Sequence, residues 1–244
     1  MNKTWLFLDF DGVICDSQEE SYRSSWIAWS GDSVDKKAPP SSPIVEEGYY
    51  NAFRGCRPFV RSGEDFVVLH DLLHHGKRPR TQQEFDEALR ETGPAGLALL
   101  KANLYAVRDA ILTYHRRLWL SWNPLYPGMR DALAALAERP QTFVLSTKKS
   151  EFIHEILQSN GVDWPVDRIL YTADRKKLRI VEELSHGEPS ILIDDQIDHL
   201  DFFHPSCDCR LAAWGFVEKA WIDTAPASLG LDEALTFLDV LSTQ

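Results

Sequence analysis

The sequence predicts an α/β fold: a doubly wound parallel sheet interrupted by an all-helical insertion. Three observations predict it. Short apolar runs that end in polar residues alternate with stretches of helical length, the pattern of strand–helix–strand units. The first such run, Trp5-Leu6-Phe7-Leu8, is apolar throughout, as expected of a strand covered by helices on both faces. About 110 residues of helical character separate it from the next strand, more than a compact domain tolerates unless the connection folds by itself. A core is therefore expected from residues 1–15 and 124–244, with a helical domain from residues 16–123.

The elements follow in order. Ser17 is placed to cap a helix from Glu19 to Trp29, with acids in its first turn as the helix dipole prefers. Residues 31–43 are rich in Gly, Asp, Ser and Pro and read as a loop. From Ile44 to Trp122 the pattern is helical. Thr81-Gln82-Gln83-Glu84 forms a capping box ahead of a helix to Thr92; Gly93-Pro94 breaks the chain, and a long helix is expected from Ala95 to Leu120. Tyr126-Pro127-Gly128 opens an alanine-rich helix, Met129 to Glu138, stopped by Pro140. Strand Thr142–Leu145 and a helix from Glu151 to a Gly161 cap follow. Strand Ile169–Tyr171 leads through Asp174 into a helix ending at Leu184, strand Ser190–Ile193 ends in Asp194-Asp195, and a last strand is expected at Leu211–Trp214. Residues Asp232 to Leu241 form the final helix.

Composition narrows the function. Hydrophobic residues make up 44% of the 244, and 8 Trp and 12 Phe can fill a sizeable core. With 26 basic and 37 acidic residues the net charge is −11, which opposes binding to nucleic acid or an anionic membrane surface. Cys15, Cys56, Cys207 and Cys209 are too few and scattered for a disulfide scaffold, and Cys207-x-Cys209 lacks a second ligand pair at zinc-site spacing. They read as reduced thiols. The apolar run near the N-terminus is too short for a signal peptide and no run reaches membrane-span length, so a cytoplasmic protein is expected.

The chemistry concentrates at strand ends. Asp9 and Asp11 flank Phe10 after the first strand, with Gly12 next; in an extended segment residues two apart point to the same side. Ser146 ends the second strand, Lys176 and Lys177 follow the third, and Asp194-Asp195 end the fourth. Parallel strands would put all these ends on one rim, where open α/β sheets place ligands. Acids there can hold a hard cation such as Mg²⁺ through oxygen; a hydroxyl and an ammonium can contact phosphoryl oxygens, and an aspartate can attack phosphorus. Each residue also has an ordinary use: Ser146 as a helix cap, Lys176 and Lys177 as a solvated pair, Asp194-Asp195 as caps of the next helix.

The order Asp9-x-Asp11-Gly12-Val13, Ser146, Lys177, Asp194-Asp195 resembles the four motifs of the haloacid dehalogenase-like hydrolases, and covers Lys3 to Gly215 apart from the insertion. The resemblance implies a Rossmann-like core and a Mg²⁺-dependent phosphatase acting on a small phosphorylated metabolite through an aspartyl-phosphate. By it, Asp9 is the nucleophile and a metal ligand. Asp11 is the acid and base, and its backbone carbonyl binds the metal. Ser146, with Thr147 as the weaker alternative in the motif's register, bonds the phosphoryl group. The motif lysine is Lys177 or Lys176; Lys177 is preferred because Val181 and Leu184 follow at helical spacing. Asp195 is preferred over Asp194 as direct ligand, Asp198 is an outer candidate, and Gly12 joins the substrate-binding set. Asp11 argues against dehalogenation, since a halide leaving group needs no proton. The insertion resembles the helical cap of phosphoglycolate-phosphatase-like members.

Arg54, Arg57 and Arg61 form a basic stretch in the insertion, suited to bidentate capture of the substrate's second anionic group. Pairing with Glu46, Glu47, Glu64 or Asp65 is the competing use. His70, His74 and His75 read as surface residues, and Trp26, Trp29, Trp119 and Trp122 as core. A phosphomutase using the same site, or a non-catalytic phosphate-binding protein of the same fold, are the alternatives. The oligomeric state is left open.

Overall fold

Strand β1 (Trp5–Leu8) is the axis on which the core is laid down. The computed structural model describes residues 4–40, 47–173 and 175–243. The strands that follow are β2 (Thr142–Ser146), β3 (Ile169–Tyr171), β4 (Ser190–Asp194), β5 (Cys207–Ala212) and β6 (Ser228–Leu229). Among the described residues they form one six-stranded sheet in the order β3-β2-β1-β4-β5-β6, parallel at every pairing. This is the doubly wound α/β architecture expected. The chain leaves β1 to build β2 and β3 on one side, then returns to the other side with β4. The reversal makes the carboxyl ends of β1 and β4 a topological switch point. Register sets Leu8 level with Val144 and Ile193, so Asp9, Leu145 and Asp194 come next on the three central strands.

The chain divides into two compact units, Met1–Asp16 with Pro124–Gln244, and Ser17–Asn123. In the sheet unit, helices α5 (Met129–Leu136), α6 (Ser150–Ser159), α7 (Lys177–Ser185), α8 (Lys219–Thr224) and α9 (Leu231–Ser242) separate or follow the strands. Phe7, Leu145, Ile180, Val181 and Leu192 belong to one buried cluster, and Trp5, Phe7 and Phe143 stack at 5.6–6.5 Å between ring centroids. Burying such side chains is worth about 1.5–3 kcal/mol each.

The Ser17–Asn123 unit holds α1 (Gln18–Ser30), α2 (Glu47–Cys56), α3 (Gly63–His74) and α4 (Gln82–Ser121), with Tyr22, Phe53, Phe59, Phe66 and Phe85 in its core. Glu20 is fully buried there. Arg108 meets it through Nε and Nη2, both at 2.8 Å, and Trp119 Nε1 and Ser24 Oγ add bonds at 3.1 and 2.7 Å. Stripped of the guanidinium, so buried a carboxylate would cost several kcal/mol.

Several expectations change at this level. The strand expected at Leu211–Trp214 runs Cys207–Ala212 instead, because the alternation Cys207-Asp208-Cys209-Arg210 already faces alternately in and out. Neither α8 nor the two-residue β6 was expected. Gly93, with φ 71° and ψ 162°, does break α4 ahead of Pro94, but the helix resumes at once, and His115 interrupts it again. At Thr81 the capping box is half made: Thr81 Oγ accepts from Glu84 N–H at 3.2 Å, while the Glu84 carboxylate turns to Arg80 N–H at 2.7 Å. The Ser17 hydroxyl makes no cap bond; its backbone carbonyl accepts from Ser21 N–H instead. His70 is buried, not on the surface. Its ring lies among Tyr22, Phe53 and Tyr49, with Nε2 at 3.0 Å from Ser25 Oγ and Nδ1 at 2.9 Å from Tyr49 OH. His74 and His75 are exposed. Residues 41–43 of the expected loop, the start of the helical region at Ile44, Glu46 and Asp174 lie outside the described residues.

Candidate active site

The site is built where β1 stops. Asp9 N–H still bonds Ile193 O at 2.9 Å, as one more rung of the ladder. The chain then coils, and Ile14 and Cys15 N–H both bond Phe10 O at 2.9 Å. The alternation of an extended strand therefore ends at Leu8, and each of Asp9 and Asp11 meets an ammonium of its own. Asp9 Oδ1 meets Lys177 Nζ at 2.8 Å; Asp11 Oδ1 meets Lys148 Nζ at 2.8 Å. Gly12 makes the turn possible with φ +85°, in the left-handed region.

Lys177 is the first residue of α7 and only 2% exposed. Its ammonium sits between Asp9 Oδ1 and Asp194 Oδ2, at 2.8 and 2.7 Å. Lys176, one residue earlier, is exposed at the helix cap. Helix entry decides between them: a step of about 100° around the axis sends neighbouring side chains in different directions. Asp194 is fully buried, with His199 Nδ1 at 3.2 and 3.1 Å from its two oxygens and Gln196 N–H donating to Oδ1 at 2.9 Å.

Asp195 Oδ2 accepts from Phe216 N–H at 2.8 Å. Two glycines press on this carboxylate: a Cβ at Gly12 would stand 2.0 Å from Asp195 Oδ2, and one at Gly215 would stand 2.5 Å from Asp195 Cβ. Asp9, Asp194 and Asp195 each offer an oxygen within 4.8 Å of the others, and all three are buried. Three carboxylates converging in a dry site suit a hard divalent cation, so the donor set fits Mg²⁺. The Asp11 side chain lies outside that group.

Burial pushes the Asp9 carboxyl up, against the pull of Lys177, to about 6. Burial acts the same way on Asp194, but Lys177 and His199 outweigh it and hold that carboxyl well below the usual range. Desolvation opposes the Lys177 ammonium, yet Asp194 and Asp9 raise its pKa above the ordinary value. The ammonium stays charged, Asp194 stays ionised, and Asp9 is the carboxylate that most readily takes up a proton.

Ser146 closes β2 and is buried, its hydroxyl accepting from Lys148 N–H at 3.3 Å. Thr147 and Asp198 are exposed. Lys148 was not among the expected residues. It lies two residues beyond Ser146, its ammonium 5.5 Å from the Phe10 ring centre as well as on Asp11. Its signal in the sequence was only a lysine in the segment after a strand. The three arginines sit in the helical unit. Arg57 is buried over the Phe66 ring at 4.7 Å, Arg61 Nη1 donates to Pro58 O at 2.5 Å, and Arg54 is exposed. Of the acids named as their competing partners, Glu64 pairs with Lys101 at 3.7 Å, and Asp65 accepts from the backbone N–H groups of Arg61 and Ser62 at 2.8 and 2.9 Å.

No protein-family model matches the sequence, and no curated protein does. Solved structures do. A predicted phosphoglycolate phosphatase of Haemophilus somnus 129pt superposes with TM-score 0.57 at 15% identity, over 100% of both chains. The chain shares its fold. A haloacid dehalogenase-like family hydrolase of Streptococcus pneumoniae gives TM-score 0.55 at 14% identity, over 98% of this chain and 100% of the other. A HAD family hydrolase of Deinococcus radiodurans R1, with bound phosphate and sodium, gives 0.50 at 13% identity, over 98% and 96%.

Proposed function

We propose that this protein is a Mg²⁺-dependent phosphatase of the haloacid dehalogenase type, releasing phosphate from a small phosphorylated metabolite. One observation carries the reading: a buried lysine bridges the first aspartate after the central strand and an acid of the neighbouring strand, at the switch point of a doubly wound sheet. A third buried acid, Asp195, stands beside that ion pair at the rim where open α/β sheets bind ligands.

The chain's own groups take these roles. Lys177 and the Phe10 N–H, at 2.8 and 2.7 Å, both bind Asp9 Oδ1 and orient the carboxylate, so that Oδ2 is the oxygen that attacks phosphorus. The product is an acyl phosphate on Asp9. Asp11, with its own ammonium partner, gives a proton to the leaving oxygen and then takes one from the water that opens the acyl phosphate. Ser146 Oγ and Lys148 Nζ contact the phosphoryl oxygens, with Gly12 backbone beside them. Asp9, Asp195 and the Asp11 carbonyl would hold the cation, and Asp194 orients Lys177. The cation, when bound, neutralises charge on the phosphoryl group. Arg54, the exposed member of the basic stretch, is the candidate for the substrate's second anionic group.

A panel of phosphorylated metabolites and p-nitrophenyl phosphate tests the reading, with Mg²⁺ or with EDTA, on wild type and Asp9→Asn. Metal-dependent phosphate release that Asp9→Asn lowers at least 10³-fold is expected. Turnover that survives Asp9→Asn would remove the aspartyl-phosphate; rearrangement without net phosphate release would replace the phosphatase by a mutase.

A further inference from the structure

At the opposite end of the sheet lies a feature the catalytic reading does not use. Cys207 and Cys209 are two apart on β5, so both thiols point to the same face. They are 3% and 2% exposed, and Cys209 Sγ–H donates to Cys207 Sγ at 3.8 Å. All four cysteines are free thiols, and these two are in contact with each other. Cys207 is not sealed in. It lines a cavity of about 550 Å³ with Ser190, Phe202, His204 and Ser206, at the amino ends of β4 and β5.

We propose that Cys207 and Cys209 are an oxidation site, which a peroxide converts to an intrastrand disulfide. Both sulfurs already sit at contact distance, and one opens to a cavity that a small oxidant can enter. The Cys207 thiolate attacks one peroxide oxygen; the O–O bond breaks, water leaves, and Cys207 carries a sulfenic acid. Cys209 sulfur then attacks Cys207 sulfur, the S–S bond forms and a second water leaves. Two thiols are oxidised by two electrons in all, and one peroxide is reduced to two waters. The surroundings suit that order of attack. The Cys209 S–H bond lowers the Cys207 pKa, with Ser190 and the His204 charge aiding it against burial. The bond to the Cys207 sulfur, and then burial, raise that of Cys209.

The geometry also makes the bond reversible. Residues two apart in a strand have Cα atoms about 6.6 Å apart. A disulfide tolerates up to about 6.8 Å and is usually shorter, so closure must pucker β5 at Asp208. Strained disulfides of this kind are readily reduced. The pucker has a path to the rim: β5 pairs with β4 from Ser190–Cys207 to Asp194–Leu211, and the chain after β5 supplies the Phe216 N–H that holds Asp195.

The test is mass spectrometry of the full chain after hydrogen peroxide and after subsequent reduction. A loss of two hydrogen atoms is expected, mapped by proteolysis to a Cys207–Cys209 link, with the thiol titre in denaturant falling from four to two and returning with dithiothreitol. Cys209→Ser should form no link and leave a Cys207 sulfenic acid that dimedone traps. Four persisting thiols, a link through Cys15 or Cys56, or irreversible sulfinic acid would overturn the proposal. Phosphate release should fall at least fivefold on oxidation of wild type, recover on reduction, and be insensitive in Cys209→Ser; a formed disulfide with unchanged turnover would remove the coupling to the rim. The disulfide is decided by mass alone, so absence of phosphatase activity would count against the proposed function and not against this site.

Discussion

Replacing Lys177 by Met tests whether one cation holds the acidic rim together. In the wild type its ammonium is 2% exposed and makes ion pairs of 2.8 Å to Asp9 and 2.7 Å to Asp194. Methionine keeps much of the volume and removes the charge, leaving two buried carboxylates facing one another. Breaking a buried pair in this way costs about 3–5 kcal/mol at neutral pH. The pH dependence carries the argument. In the wild type Asp194 is held below its ordinary pKa, so its contribution is present at neutral pH and lost on acidification. Without Lys177, burial and mutual repulsion push both folded-state pKa values up, with His199 still opposing this at Asp194. Their destabilising effect is then largest at neutral pH and fades as pH falls towards the unfolded carboxyl value of about 4. The assay is urea unfolding of both proteins at pH 7 and pH 5, followed by circular dichroism. The stability gap should shrink by about 1–2 kcal/mol at the lower pH, one pKa unit being worth 1.4 kcal/mol. Lys177→Met/Asp194→Asn should regain most of the stability at pH 7 while remaining inactive. A gap below about 1 kcal/mol at pH 7, or one equal at both pH values, would refute the charge-compensation reasoning.

Two further outcomes follow from other sites. Burial holds the His70 imidazole at a pKa of about 3, below its free value of 6.5, so the unfolded chain binds the extra proton between those values and stability falls as pH drops through that window. The loss reaches about 5 kcal/mol at most, at 1.4 kcal/mol per unit; His70→Gln should flatten it in an acid titration of the helical signal, and an unchanged acid midpoint would contradict this. Gly12→Ala drives a Cβ to 2.0 Å from Asp195 Oδ2 at a backbone φ of +85°. The left-handed conformation alone costs about 1–2 kcal/mol, and displacement of Asp195 should weaken Mg²⁺ binding at least tenfold by calorimetry, whereas wild-type affinity would show that Asp195 is not at the cation.

The rim was legible in the sequence because its signals are local and their order is topological. An apolar run ending in Asp9, and another ending in Asp194-Asp195, can be read without coordinates. So can their arrival on one edge, once every strand is taken as parallel. What was not legible depends on where the chain turns. The chain coils after Leu8 and Lys148 meets Asp11, and no periodicity announces either event. Lys177 could be preferred over Lys176 from the spacing of Val181 and Leu184, because helix phase is a sequence property. His70 was misread because it was grouped with His74 and His75, which are exposed; Ser25 and Tyr49, distant in sequence, satisfy its nitrogens and let it be buried. Strand β6 has two residues and no pattern to find.

The position of β1 has a consequence for how the polypeptide is made. Its residues leave the ribosome long before its two partners in the sheet, Thr142–Ser146 and Ser190–Asp194. At ordinary translation speeds the second partner emerges on the order of ten seconds after the first strand. The Ser17–Asn123 unit is contiguous and is complete well before then. The nascent chain therefore carries a finished helical body behind an unpaired Trp-Leu-Phe-Leu edge, which makes that tetrapeptide the segment where chaperone engagement during synthesis is most needed.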